Sequence, residues 1–465
     1  MTEIATDAVR TSLRASTPMQ AGMHFHALSG EVAGVDVEQV VVEVDEDLDL
    51  VAFERAWHKV LANEPVLCTG MTWANGESMV FTGSSPDLEF NTLDWSACSD
   101  VELSVLQEEL LQVDRERGFD LACPPLLRIN CALLGPGRWW IVWTFHHVLL
   151  DGRSFPLVLE LVLAAYDGRA DTLDPGRRTF DEFASALNST DLQPEIRQWS
   201  SLLEGVDEPT AFRLPQKSTE LADASVAGYV SRSLTEAQNA KVLEVAAECG
   251  VTLNNIVQAG WSTLLRHYTQ QGLVAFGSTR ACRHAFPDTG DTLGLLINTV
   301  PFVVRFEEGM TVAELFSQVH QSQADLRPVE MVPLSAIQSA WTSGSREIFD
   351  SLVMFDGQPL DLQMKERLGR RVADWSFNYH GQTNFPVALI AYGEPKLTLR
   401  LEYQHSTMPP AAAERLLDQL CRWLAEMPAH IDADALSVPY LGADDLADLE
   451  GFNESSVDLL SLIHI

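Results

Sequence analysis

Strand-like apolar runs alternate with longer amphipathic stretches along this chain. The runs are rich in β-branched and aromatic residues, a composition that favours strands, and they lie at 37–45, 126–134, 138–147 and 395–403. The amphipathic stretches repeat apolar residues at helical spacing and lie at 48–63, 101–117, 157–166 and 253–270. This order of elements predicts an α/β fold.

The length of the chain predicts two large lobes, because 465 residues exceed the usual size of one domain. Residues 205–220 hold two prolines and no sustained period, so we expect an exposed connection there. We place an N-terminal lobe at 1–190 and a C-terminal lobe at 191–450, with the boundary somewhere in 180–220, and a linker-like tail at 451–465. The halves share a similar order of helix, strands and polar signature, which leaves both a duplication and a chance likeness open.

The charge balance excludes several classes of partner. There are 66 acidic residues against 31 basic ones, and the formal net charge of -35 repels phosphate backbones and anionic lipid headgroups. We therefore expect neither nucleic acid nor a membrane as a partner. The first residues lack the basic and apolar regions of a secretory signal, and the seven cysteines are scattered without metal-ligand spacing. These features favour a cytoplasmic protein with reduced thiols and no metal site.

The segment HHVLLDG at 146–152 carries the strongest chemical signal. It follows the strand-like run RWWIVWTF, so two imidazoles stand where a strand ends and the chain turns. An imidazole titrates near neutral pH and can take a proton from an attacking amine or hydroxyl. Adjacent strand residues point to opposite sides, so only one of His146 and His147 lines a cleft and the other is structural.

Asp151 has two candidate roles in this segment. Its carboxylate either lies directly on the imidazole or is a buried anion paired with a cation that shapes the loop. The spacing of four residues from His147 favours the second role. A histidine pair taken alone is more often a core or metal-site feature than a catalytic one, so the other motifs of the chain decide the interpretation.

HHVLLDG matches the HHxxxDG signature, and the chain thereby resembles the condensation domains of nonribosomal peptide synthetases and the wider superfamily of chloramphenicol acetyltransferase-like acyltransferases. Further segments are similar to motifs of that family in the same order; they are TPMQAGMHFH at 17–26, EPVLCT at 64–69, FGSTRACR at 276–283, LGLLINTVP at 293–301, PLSAI at 333–337 and GQTNFPV at 381–387. One departure is Cys68, which stands where the family has an arginine. Their shared order identifies the chain as a member of this family.

The resemblance implies a fold of two chloramphenicol acetyltransferase-like αβ lobes in a V-shaped pseudo-dimer with a central tunnel. Donor and acceptor carrier proteins then enter from opposite faces and present thioesters on 4′-phosphopantetheine arms. The domain itself is expected to bind no cofactor. The resemblance also implies an adjacent adenylation domain as a partner, and we expect the chain to be a monomer.

The resemblance assigns roles to the residues of the signature. By this likeness His147 is the second histidine and projects into the tunnel, and His146 is mainly structural. Asp151 pairs with an arginine of the second lobe, for which Arg283 is the first choice and Arg280 the second.

The resemblance also extends to residues around the tunnel. Gly152 lets the backbone approach the reacting thioester, and its amide is a candidate oxyanion donor. Asn298 and Thr299 are expected near the tunnel floor. Thr383 and Asn384 are expected on a segment that crosses between the lobes, and for all four a structural role and a substrate contact stay open.

The reaction implied by the resemblance is attack of an acceptor amine on a carrier-bound thioester, which gives an amide and a free thiol. A hydroxyl acceptor, giving an ester, stays open because the same imidazole serves either nucleophile. A non-catalytic recruitment platform and an epimerising relative are further alternatives. The cyclising branch is disfavoured because it replaces the two histidines by aspartates, and a single-lobe acetyltransferase because the chain is about twice too long.

Docking of carrier proteins poses a difficulty for so acidic a chain, since such carriers are themselves usually acidic. Basic or apolar patches are then needed. The candidate basic patches are Arg177 with Arg178, and Arg367 with Arg370 and Arg371.

Overall fold

The structure, a computed structural model, describes residues 11–29, 34–83, 87–169, 173, 176–212, 227–341 and 347–453. Its strands are β1 (Thr11–Ala15), β2 (Val37–Asp45), β3 (Thr69–Ala74), β4 (Glu77–Thr82), β5 (Glu89–Asp94), β6 (Leu127–Gly135), β7 (Arg138–His146), β8 (Ala227–Ser233), β9 (Leu273–Ala281), β10 (Ile297–Arg305), β11 (Ser351–Asp356), β12 (Trp375–His380), β13 (Val387–Tyr392) and β14 (Thr398–Gln404). Its helices are α1 (Pro18–Ser29), α2 (Leu50–Asn63), α3 (Asp100–Arg117), α4 (Ser154–Tyr166), α5 (Phe180–Ser189), α6 (Gln193–Leu202), α7 (Glu236–Cys249), α8 (Leu253–Thr269), α9 (Val312–Leu326), α10 (Leu334–Ala340), α11 (Leu360–Leu368), α12 (Pro410–Glu426) and α13 (Ala443–Asn453). Most of the predicted tail, residues 454–465, lies outside the described residues.

The strands form two large sheets and a small one. The first large sheet has the order β12-β2-β7-β6-β5, the second has the order β10-β9-β11-β13-β14-β8, and the small sheet has the order β1-β4-β3. Helix α3 packs against β2 and β7, while α8 and α9 pack against β9 and β10. This arrangement of helices on mixed sheets confirms the predicted α/β class.

Local sequence signals explain where several helices begin. The Ser99 hydroxyl accepts from the Glu102 N–H at the start of α3, and the Glu102 carboxylate accepts from the Ser99 N–H. Thr179, Thr252 and Thr311 cap α5, α8 and α9 in the same reciprocal way. These caps satisfy N–H groups that have no partner in the first turn of a helix.

The two faces of strand β2 pack against different hydrophobic clusters, because successive side chains of a strand point to opposite sides. Val40, Val42 and Val44 lie on one face and belong to the larger hydrophobic core of this lobe. Val41 lies on the other face and packs with Trp140 in a small separate cluster. The side chains of β2 therefore divide between the two faces according to odd or even number.

Two hydrophobic cores define two lobes. Trp57 and Trp143 are almost fully buried in the core of the first lobe, and Trp261 and Trp423 in the core of the second. Burial of each indole removes roughly 150–250 Å² of surface from water. Each lobe therefore has its own centre of stabilisation.

Segments from the second half of the chain return to the core of the first lobe. They contribute Cys282, Leu293, Leu295 and Leu296, and further along the chain Leu360, Met364, Val372, Trp375 and Phe377. A single cut in the chain therefore does not separate the two cores. The predicted lobe boundaries stay a prediction.

Strand β12 completes the first sheet although it comes from the second half of the chain. It pairs antiparallel with β2, with Phe377 opposite Val42 and Tyr379 opposite Val40. The chain then runs through residues 381–386 to β13, which belongs to the second sheet. This crossing segment ties the lobes together beside the end of β7.

Among the described residues, no helix is long and apolar enough to cross a membrane.

Candidate active site

The loop after β7 positions His147. The His147 N–H donates to the Asp36 carbonyl at 2.7 Å, which continues the pairing of β7 with β2 by one residue. In the loop, His147 Nδ1 lies 2.6 Å from the carbonyl oxygen of Leu150. A carbonyl only accepts, so Nδ1 carries the hydrogen, and in the neutral imidazole Nε2 holds the free lone pair.

His146 points to the opposite side of the strand and is buried. Its Nδ1 accepts from the Val148 N–H at 3.1 Å, and its ring packs edge-on to Phe119. Burial lowers the pKa of His146 to about 4. The ring is therefore neutral near pH 7 and shapes the turn from within the fold.

Burial and the surrounding charges act in opposite directions on the pKa of His147. Burial alone lowers the pKa, but the carboxylates of Glu38 and Asp36 and the Leu150 carbonyl outweigh it, so the pKa of His147 lies above its ordinary value. The site therefore favours the protonated ring more than water does. This is the direction that suits a group taking a proton from an attacking nucleophile.

Asp151 is bound to a cation from the other half of the chain. Arg283 Nη2 lies 2.6 Å from Asp151 Oδ1 and 2.9 Å from Oδ2. Asp151 Oδ1 also accepts from the Ser154 N–H at 2.9 Å, and Oδ2 from the Leu296 N–H at 3.0 Å. The Asp151 carboxylate thus joins its own loop to the segment that precedes β10, while the imidazole of His147 bonds elsewhere.

The Asp151 and Arg283 cluster is closely packed and has no exposed edge. Asp151 is 1% exposed and Arg283 is 6% exposed. The Ser154 hydroxyl donates to the Gly294 carbonyl at 2.8 Å. Gly294 has φ +152, and a Cβ on it would collide with the ring of Phe180, so only glycine fits this approach of backbone to ring.

Arg280, the second predicted partner of Asp151, contacts a different acid. Its Nε donates to Glu330 at 2.9 Å. The side-chain amide of Asn298 donates to the carbonyls of Glu330 and Val332, each at 2.8 Å. Arg280 and Asn298 therefore hold the loop before α10, which forms one wall of the space between the lobes.

A cavity of about 400 Å³ lies between the two lobes, beside the His147 loop. Three of the predicted residues, Asn298, Thr299 and Asn384, line it. Asp36, whose carbonyl accepts from the His147 N–H, also lines it. His147 itself does not line this cavity, and Asp36 is the residue that connects the cavity to the His147 loop.

Thr383 lies on the crossing segment but not in this cavity. It lines a separate space of about 70 Å³ on the other side of that segment, next to Arg115 and Arg400. The structure therefore brings Asn298, Thr299 and Asn384 together and leaves Thr383 apart.

His26 is a cavity residue to which the motif comparison assigned no role. It lies in the last turn of α1, and its Nε2 is 3.2 Å from the side-chain amide of Asn384. Its Nδ1 is 3.6 Å from Asp36 Oδ2. His26 is the last residue of the segment TPMQAGMHFH, so the sequence did point to it. Its position in that segment does not show, however, that it contacts Asn384 of the crossing segment.

Gly152 has open space where a side chain would be. An ideal Cβ on Gly152 meets no atom within 4 Å, although the loop around it is packed. Within the part of the chain that the structure describes, no hydrogen bond engages the Gly152 N–H. This amide is therefore an accessible donor five residues after His147.

The predicted basic docking patches are largely engaged within the protein. Arg177 contacts Glu64, and the Arg178 guanidinium donates to the Pro287 carbonyl at 3.3 Å. In the second patch, Arg367 pairs with Glu160 at 2.6 Å, and Arg371 pairs with both Glu46 and Asp167 at 3.1 Å; Arg370 is exposed between them. These cations neutralise local carboxylates.

Among the described residues, no group of histidine, cysteine, aspartate or glutamate side chains has the geometry to hold a metal ion.

Sequence comparison places this site in a known family. The family described as "Condensation domain" matches residues 13–449. One component protein of the linear gramicidin synthase of Brevibacillus parabrevis is 31% identical over 416 residues, which are 87% of this chain and 8% of that protein. A second component of the same synthase is 29% identical over 458 residues, 95% of this chain and 6% of that protein. The chain thus spans less than a tenth of the length of these relatives.

Solved structures show the same fold. The first condensation domain of the CDA synthetase superposes with a TM-score of 0.75 at 18% identity and covers 93% of this chain and 100% of that one. A four-domain nonribosomal peptide synthetase bound to AMP and glycine superposes with a TM-score of 0.80 at 17% identity, over 95% of this chain and 35% of that one. The predicted chloramphenicol acetyltransferase-like fold is confirmed by this likeness.

Proposed function

Because the chain belongs to the condensation-domain family, we propose that it joins a carrier-bound acyl or aminoacyl thioester to an acceptor amine and forms an amide. The observation that carries the proposal is the geometry of His147. Its Nδ1 is fixed on the Leu150 carbonyl at 2.6 Å, which leaves Nε2 as the basic nitrogen of the imidazole. The His147 N–H is bonded to the carbonyl of Asp36, and Asp36 lines the cavity between the lobes.

The reaction balances with this one imidazole. The acceptor nitrogen attacks the thioester carbonyl, the new C–N bond forms, and the C–S bond breaks. His147 Nε2 takes the proton that the nitrogen loses and returns it to the departing thiolate, so the products are an amide and a free thiol. The raised pKa of His147 favours the proton uptake in the first half of this sequence.

Other groups of the loop have supporting roles in this proposal. The Gly152 N–H donates to the oxyanion that develops on the thioester carbonyl. The Asp151 and Arg283 pair fixes the loop and does not exchange protons with substrate. Asn298, Thr299 and Asn384 shape the cavity, and orientation of two bound reactants within it supplies a large effective concentration.

The partners in this proposal are donor and acceptor carrier proteins, whose 4′-phosphopantetheine arms bring the substrates. The domain needs no cofactor of its own for the transfer. The printed names of the relatives are those of large peptide synthases, which supports neighbouring carrier and adenylation domains. The free cysteines of the described residues suit work in the cytoplasm.

Carrier docking in this proposal uses an apolar surface, because most cations of the basic patches contact groups within the protein. Helix α1 lines the cavity and also carries two exposed apolar side chains, Phe25 and Leu28. They are 63% and 61% exposed.

The proposal is tested with an acyl-loaded carrier protein as donor and a panel of amine and hydroxyl acceptors, free and carrier-bound, with products followed by mass spectrometry. We expect amide product from the wild type and a drop of about 10²–10⁴-fold in His147→Ala. Asn384→Ala, on the cavity wall, is a matched comparison that changes substrate contact without removing the base. Ester product alone would reassign the acceptor, and a carrier that binds without reacting with any acceptor would identify a recruitment or epimerising domain.

A further inference from the structure

Glu38 is an acid on the apolar face of a strand. It has the same parity on β2 as Val40, Val42 and Val44, which belong to the core of the first lobe. Its side chain is only 3% exposed. Burial of a carboxylate is costly unless it is hydrogen-bonded or faces a compensating charge, so its place on this face calls for a partner.

The strand register places Glu38 next to His147. Strand β2 pairs with β7 so that Glu38 stands opposite Phe145, and the His147 N–H donates to the carbonyl of Asp36. Glu38 and His147 are therefore diagonal neighbours on one face of the sheet, a separation that long side chains span. Among the charged groups around His147, the Glu38 carboxylate raises the pKa of the imidazole most.

A second contact fixes the Glu38 carboxylate. The Tyr379 hydroxyl, on β12, donates to Glu38 Oε2. The Tyr379 ring stacks on Phe155 of α4, with ring centroids 5.2 Å apart. A Cβ on Gly381 would collide with the same carboxylate oxygen, so the crossing segment closes over it.

The remaining charges near the pair leave Glu38 as the acid that faces His147. Burial raises the pKa of Glu38, while the charge of His147 and the hydrogen bond from Tyr379 act in the opposite direction. The charge of Arg115 also lowers the pKa of Glu38. Asp36 also faces His147, but its Oδ2 lies 3.6 Å from His26. Asp151 acts on His147 from the loop and is bound to Arg283.

Cations and acids on the far side of Glu38 have other contacts. Arg115 donates to Gln39 Oε1 at 2.9 Å, and Glu402 lies 3.0 Å from Arg400. The neighbouring ring of His146 is neutral, because burial lowers its pKa to about 4.

We propose that Glu38 is a positioning residue for His147, which acts on the imidazole through its charge from the neighbouring strand and stabilises the protonated form after it takes the proton of the acceptor. The proposal rests on the proposed function for its catalytic consequence. The coupling between the two side chains is a property of the protein alone. The contacts of Glu38 involve both halves of the chain, because Tyr379 lies on β12, the strand that the second half contributes to the first sheet.

The test is the titration of His147 in Glu38→Gln, followed by NMR on protein carrying ¹³C-labelled histidine, with the resonance assigned by its loss in His147→Gln. A glutamine still accepts from the Tyr379 hydroxyl, so the fold and the contact are retained while the charge is removed. We expect the pKa of His147 to fall in Glu38→Gln. Asp434→Asn, which removes a half-buried carboxylate outside the cavity whose Oδ1 accepts from the Leu436 N–H, leaves the titration unchanged.

Amide formation gives the second readout. In Glu38→Gln we expect the rate at pH 7 to fall about tenfold, and the acid limb of the pH–rate profile to move to lower pH, a movement that a merely structural defect does not produce. A second variant, Tyr379→Phe, keeps Glu38 but removes the hydroxyl that donates to its carboxylate. We expect the titration of His147 to shift in this variant too. An unchanged titration of His147 in both variants overturns the proposal, and because it needs no substrate, that outcome is separate from a failure of the proposed reaction.

Discussion

Arg283 binds the carboxylate of Asp151 across 132 positions of the chain, with Nη2 at 2.6 Å from Oδ1. The pair is buried at the place where the His147 loop meets the segment before β10. One guanidinium thereby couples the geometry of the His147 loop to the packing of the other half of the chain.

Removal of one partner of the Asp151 and Arg283 pair should strongly destabilise the folded protein. Arg283→Ala leaves the Asp151 carboxylate buried without its cation, and we expect the free energy of unfolding to fall by about 3–5 kcal/mol. Chemical denaturation measures the change. Arg367→Ala, which breaks the more exposed pair with Glu160, serves as the control and should cost at most about 1 kcal/mol. Equal effects from the two variants would contradict the central role of Asp151 in this junction.

Substitution of Gly294 should disturb the same junction. An alanine Cβ there collides with Phe180 at a backbone φ of +152, so we expect Gly294→Ala to lose about 1–3 kcal/mol of stability. Gly272→Ala meets no atom within 4 Å and should be nearly neutral. Thermal unfolding of both variants, and of Gly294→Ala combined with Phe180→Ala, measures how much of the loss comes from the ring.

Acidification should weaken the fold through His146. The pKa of His146 is about 4 in the folded protein and about 6.5 in the unfolded chain. Between pH 6.5 and pH 4 the unfolded chain therefore binds more protons than the folded protein does, and the free energy of unfolding falls as the pH falls through this range. The full loss amounts to about 3 kcal/mol. Denaturation of wild type and His146→Asn at several pH values between 4 and 7 checks it. Asparagine keeps an acceptor for the Val148 N–H but does not titrate, so its curve should be flatter.

A side chain at Gly152 should affect the reaction more than the fold. Its Cβ would point into open space beside the loop, so Gly152→Ala should unfold within about 0.5 kcal/mol of the wild type. If the Gly152 N–H approaches the thioester as proposed, the added methyl group lowers kcat/KM about tenfold or more. Wild-type kinetics in Gly152→Ala would move the oxyanion donor elsewhere in the loop.

Hydrophobic periodicity predicted much of the fold, and one motif indicated the candidate site. The apolar run before His146 forms β7, and the stretch at 253–270 forms α8 almost to the residue. Local patterns report neighbours along the chain well, since strands and helices are fixed by spacing and caps. The order of motifs then placed His147, Asp151 and Arg283 within one family pattern.

The sequence could not reveal contacts that depend on register and topology. Glu38 is the second residue of β2 and has the same parity as Val40, Val42 and Val44, which marks it as an acid on an apolar face. Tyr379 lies on β12 and His147 directly follows β7, and only the folded sheet brings these two strands to either side of β2. Thr383 and Asn384 are adjacent in sequence, yet the crossing segment turns them toward different cavities.

The pairing of β12 with β2 has a consequence during synthesis of the chain on the ribosome. The residues of β2 emerge more than 300 positions before Trp375–His380, so one edge of the first sheet stays open while the second lobe is made. An open strand edge is a template for wrong pairing and aggregation. The nascent first lobe therefore depends on the timely arrival of its last strand, and recombination of domains within this chain must keep that strand with the lobe it completes.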